Sequence, residues 1–141
     1  MASRILLSFL VSLVFTPIAA SAEPTPAEVR VNAVAVTLNV EIPPDWKFWV
    51  VSEPEWERQK KDFGSPSETA FSIVMMRLTV IRASYAATAP EALLRKTLAH
   101  EFGHALCWCT SENGADHAAQ NILRKRTLKP PRIHFDSMPP R

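Results

Sequence analysis

The chain has 141 residues, 47% of them hydrophobic, with sixteen basic against fourteen acidic side chains. That length allows a single domain with one modest core. The near balance of charge excludes a partner held through its polyanionic surface, nucleic acid above all, and two cysteines cannot staple a multi-bridge scaffold.

Met1-Ala2-Ser3-Arg4 places one positive charge ahead of an apolar run from Ile5 to Phe15, and Ala20-Ser21-Ala22 is an A-x-A cleavage site. Residues 1–22 therefore read as a secretory signal peptide cut before Glu23, which implies a secreted or periplasmic protein. The chain left after cleavage has about 119 residues and a net charge near +1. No stable membrane insertion is expected of it, because the later apolar stretch from Ala70 to Ala89 carries Arg77 and Arg82.

Val29 to Ile42 is rich in β-branched residues and free of Gly, and is expected to be a strand ending at Pro43-Pro44-Asp45. Trp46 to Val51 reads as a second strand, and Glu53 to Phe63 as a short amphipathic helix anchored by Trp56 and Phe63. Gly64-Ser65-Pro66-Ser67 is a loop, and Ala70 to Ala83 one further strand. Thr88-Ala89-Pro90-Glu91 has the form of a capping box with Pro in the first turn. From there Leu94, Leu98, Phe102 and Ala105 keep helical spacing, so a helix is expected from Ala89 to Leu106 or Trp108. Asn113-Gly114 signals a turn, and a second helix is expected from Ala115 to Arg126. Residues 23–128 would form one α+β domain, a few antiparallel strands packed on the first of these helices. Residues 129–141 would be a Pro-rich basic tail, with His134 exposed on it.

His100-Glu101-Phe102-Gly103-His104 is a complete H-E-x-x-H on the better signalled helix. Residues four apart share a helix face, so both imidazoles can reach one ion. Zn²⁺ takes such nitrogens readily in a tetrahedral shell, and two helical His supply half of it. Glu101 sits beside the ion without binding it, placed to take a proton from the water that zinc activates. Gly103 costs a helix interior ~1 kcal/mol against Ala, which implies a close neighbour, a strand or a substrate. Cys107 and Cys109, one residue apart, would point to different faces of a continuing helix and are expected to be poor partners for each other. Trp46, Trp49 and Trp56 are expected in or at the edge of the core, and the Tyr85 hydroxyl in a structural bond rather than an oxyanion site.

The metzincin extension of the motif needs Gly at position 107 and His at 110; Cys107 and Thr110 exclude it. Downstream, Glu112-Asn113-Gly114-Ala115-Asp116-His117-Ala118-Ala119 reads E-x-x-A-D-x-x-A. Here the chain resembles the gluzincin metallopeptidases, whose H-E-x-x-H is completed by a Glu from a following helix. The motif is similar to that of M48-type peptidases, and the short gap to the small peptidases of the ImmA/IrrE type. The resemblance covers about Leu94 to Leu123. It implies a small zincin-like fold and zinc-dependent hydrolysis of a peptide or protein substrate. By position it makes His100, His104 and Glu112 the metal ligands, Glu101 the general base, and Asp116 the carboxylate that orients a ligating His. The spacing leaves an alternative. If the first helix runs on to Cys109, Glu112 lands about 7 Å along the axis from His104, and Asp116 comes level with the metal instead. If that helix stops near Leu106, Glu112 fits. His117 and Cys107 are outside candidates. A metal- or peptide-binding module without turnover is the alternative to an enzyme.

Overall fold

The structure, a computed structural model, describes residues 23–124; the expected signal peptide and the Pro-rich basic tail with His134 lie outside them. The described residues form an α+β domain of five α-helices and a three-stranded sheet.

The segment expected to open the fold as a strand is a helix, α1 (Pro26–Leu38). Its start is written in Thr25-Pro26-Ala27-Glu28. The Thr25 hydroxyl accepts from the Glu28 N–H at 3.3 Å, the Glu28 carboxylate accepts from the Thr25 N–H at 2.6 Å, and Pro26 occupies the first turn. Asn39 closes it in the left-handed region, at φ 52°. Val31, Val34, Ala35 and Leu38 fall on one buried face, so tertiary burial of a helical stripe outweighs β-branched propensity here.

Strand β1 (Lys47–Val51) and helix α2 (Glu53–Phe63) lie where the sequence places them. The expected single strand from Ala70 is two, β2 (Ala70–Ile73) and β3 (Leu78–Arg82). They are joined by a 3₁₀ turn over Val74–Met76, and Arg77 follows at φ 51°. No Gly, Pro or Asn marks this turn, which is why composition reads through it. The sheet is mixed rather than antiparallel, in the order β1-β3-β2. β2 and β3 form an antiparallel hairpin: α2 carries the chain across to the far edge strand β2, and the hairpin then returns β3 between the two, parallel to β1.

Side chains alternate across the sheet. Val51, Leu78, Val80 and Phe71 pack around Trp56 of α2 on one face. Phe48, Ala70 and Ile81 face the larger core of α1 and the central helix on the other. A short helix α3 (Ala83–Thr88) precedes that central helix, α4 (Glu91–Cys107). The expected capping box does not form. Thr88 ends α3, its hydroxyl donating to the Ser84 carbonyl at 2.8 Å, and Pro90 occupies the N-cap of α4 without a side-chain bond. Helix α5 (Glu112–Arg124) packs against α4. It begins three residues before the expected start: Ser111 accepts from the Gly114 N–H, so Asn113-Gly114 lies in its first turn rather than in a connecting loop.

Candidate metal centre

Among the described helices α4 is the most deeply buried, with Leu94, Leu98, Ala99, Phe102 and Ala105 fully covered. The intervening face carries His100 and His104, their ring centroids 5.0 Å apart and nearly perpendicular. Helix α4 stops at Cys107 because Trp108 turns into the left-handed region at φ 53°. This early stop lets α5 return close enough for Glu112 to meet both rings. Glu112 Oε2 lies 3.0 Å from His100 Nε2, and Oε1 lies 3.7 Å from His104 Nε2. One donor atom from each of His100, His104 and Glu112 falls within 4.8 Å of the others, a group that can hold a metal ion.

Both imidazoles are fixed from behind. His100 Nδ1 is 2.8 Å from Asp116 Oδ1. His104 Nδ1 is 2.8 Å from the Cys109 carbonyl oxygen. A carbonyl only accepts, so His104 carries its proton on Nδ1 and presents the Nε2 lone pair towards Glu112. Asp116 does the same for a neutral His100. That is the second partner a ligating imidazole ordinarily has. The side chains differ in exposure, 6% for His104 and 75% for Glu112, so the group is rooted in the core and open on the α5 side.

Glu101 points the other way around α4, towards the sheet, and is 4% exposed. Burial pushes its carboxyl up from the ordinary range, while a hydrogen bond from Ser72 Oγ at 2.6 Å opposes that rise. In His100, burial lowers the pKa, but the bond to Asp116 and the charges of Glu101, Glu112 and Asp116 outweigh it, and the net shift is upward.

A comparison with protein-family models, with curated proteins and with solved structures finds no match to this chain.

A cleft of about 760 Å³ opens over the group, within the size range of small-molecule and peptide sites. It is bounded by β2 with its leading loop, by α4 and by α5, and His100, Glu101, His104, Glu112 and Asp116 all line it. Of the outside candidates, His117 is exposed on α5 and not part of the group. Cys107 has no thiolate to offer, because it is disulfide-bonded to Cys109. That bond corrects the expectation that the two would be poor partners. The helix ends at Cys107, so Cys109 lies off it, and the two Cα atoms come within 5.1 Å. The close neighbour of Gly103 is neither strand nor substrate but α5: a Cβ there would stand 2.3 Å from the Ala115 carbonyl oxygen. Tyr85 bonds the Thr97 hydroxyl at 2.7 Å, and Trp46 and Trp56 are buried. Ser72, absent from the sequence reading, had no local signal; only strand pairing brings it to Glu101.

Proposed function

We propose that this chain is an exported zinc-dependent peptidase of gluzincin type. One observation carries the reading: His100, His104 and Glu112 converge on one point while Glu101, on the same helix, lines the same cleft. Two imidazole nitrogens and one carboxylate oxygen with an open fourth position are the donor set of a catalytic zinc. Zinc in that position supplies Lewis acidity to a substrate carbonyl and makes a water nucleophilic near neutral pH. Glu101 takes the proton of the attacking water and delivers it to the leaving amine. A carboxyl held above its ordinary range by burial suits both halves of that transfer. Asp116 and the Cys109 carbonyl keep the imidazoles in the ligating tautomer. Among the described residues β2 pairs only with β3, so its outer edge can add an extended peptide as a further strand beside the metal point.

The test is metal content and activity of the purified exported chain. About one Zn²⁺ per chain is expected, lost in His100→Ala and in His104→Ala, since each removes one of three ligands. Glu101→Gln should keep the zinc and lower peptide hydrolysis by ~10²-fold or more, because an amide takes no proton. Zinc retained at full stoichiometry in both His variants would sink the metal site. A zinc-loaded wild type inactive on every peptide tried would leave a metal- or peptide-binding module.

A further inference from the structure

On the sheet face turned towards α4, the packed side chains are otherwise apolar, yet two hydroxyls sit there side by side. Ser72 of β2 and Thr79 of β3 are register partners across the hairpin, and Thr79 is completely buried. Their oxygens are 2.8 Å apart. Behind them Trp46, 3% exposed, donates its indole N–H to Thr79 Oγ1 at 3.0 Å. In front, Ser72 Oγ lies 2.6 Å from Glu101 Oε2. The indole can only donate and a carboxylate can only accept, so both ends impose one direction on the row. Thr79 accepts from Trp46 and gives its own proton to Ser72, and Ser72 gives its proton to Glu101. Every buried polar atom in the row is satisfied, at the cost of placing hydroxyls where the core would otherwise take methyl groups. By contrast, the buried indole nitrogens of Trp49 and Trp56 have no hydrogen-bond partner.

We propose that Ser72, Thr79 and Trp46 form a positioning chain that orients the Glu101 carboxylate, holding Oε2 against the sheet and leaving Oε1 to face the water in the cleft. The proposal rests on the peptidase reading for its consequence, but the chain itself can be observed without activity. A free Glu side chain turns about its terminal bond. One fixed by a donor train from two strands presents the same oxygen on each encounter, which is preorganisation of the base rather than binding of substrate.

The experiment compares Ser72→Ala, Thr79→Val and Thr79→Ser in the full exported chain, loaded with zinc. Ser72→Ala should lower kcat by roughly 10–100-fold, the usual cost of losing an outer orienting partner, with KM and zinc stoichiometry kept. Thr79→Val should do the same if it folds, and Thr79→Ser, which keeps the hydroxyl, should recover most of the loss. A merely structural role would move stability in all three without that rescue. The second readout is the indole N–H resonance of Trp46, with Trp49 and Trp56 as internal references. It should shift in Ser72→Ala and in Glu101→Gln, two and three links away, while the other two stay in place. Wild-type kcat in Ser72→Ala, or a Trp46 signal indifferent to Glu101→Gln, overturns the proposal. If the zinc-loaded wild type cleaves nothing, the peptidase reading falls by itself and the indole signal alone decides the chain.

Discussion

At the scale of single residues the site is decided by which nitrogen of each imidazole is already engaged. With Nδ1 of His100 on Asp116 and Nδ1 of His104 on the Cys109 carbonyl, both Nε2 atoms turn towards Glu112. The two carboxylates of α5 thus have different tasks, and their removal should cost differently. On the proposed zinc reading, Glu112→Ala removes a direct ligand and should weaken zinc retention more than Asp116→Ala, whose loss leaves an unoriented imidazole and costs about 10–100-fold. A chelator titration of both variants at one pH gives the order, and the reverse order would transfer the third-ligand role to Asp116. The metal-free state has its own pH signature. His100 is held above 6.5, so its protonated form stabilises the apo fold fully below 6.5, and that contribution fades as pH rises through the folded pKa. Zinc needs the neutral ring, so binding must expel a proton. Calorimetry in buffers of differing ionisation enthalpy should show more proton release at about pH 6 than at about pH 8. Equal release at both would contradict the upward shift.

At the scale of elements, the α4–α5 pair makes the site. The two helices approach so closely at Gly103 that a methyl group has no room, since the obstructing atom is backbone and cannot rotate away. Gly103→Ala gains ~1 kcal/mol of helix propensity but should lose about 1–3 kcal/mol to overpacking. The helices must part, which draws Glu112 away from the imidazoles. The denaturant midpoint should fall and zinc affinity with it; a stabilised Gly103→Ala protein would refute the close approach. The Cys107–Cys109 bond acts on the same junction, tying the last residue of α4 to the one whose carbonyl holds His104.

For the whole molecule, α4 packs against the sheet, α1 and α5, so the candidate metal ligands and core residues are interleaved along one helix. Phe102, fully buried and 5.2 Å from the Phe48 ring, separates Glu101 from Gly103 in sequence. Phe102→Ala should cost about 3–5 kcal/mol, a large part of the stability of so small a domain. On the proposed reading zinc binds the native state alone, and it should then restore about 2.7 kcal/mol at a hundredfold excess over Kd. Thermal melts with and without zinc should therefore show recovery in Phe102→Ala and none in His104→Ala.

What was legible in the amino-acid sequence is what depends on spacing along one chain segment. The H-E-x-x-H pair shares a face because a helix repeats every 3.6 residues, and α2, β1 and the run of α4 follow from local composition. Where local signals conflict, composition alone misleads: Val29 to Leu38 reads as strand until the Thr25 capping box is weighed. The third donor depended on where α4 ends, a matter of one left-handed residue, Trp108, that no Gly announces. That stop also brought Cys109 to Cys107 and Glu112 to the imidazoles. Ser72 and Thr79 needed the hairpin at Val74–Met76, whose residues carry no turn signal. These were left to the tertiary structure, because contacts between segments are set by how buried faces fit together rather than by the residues that make them.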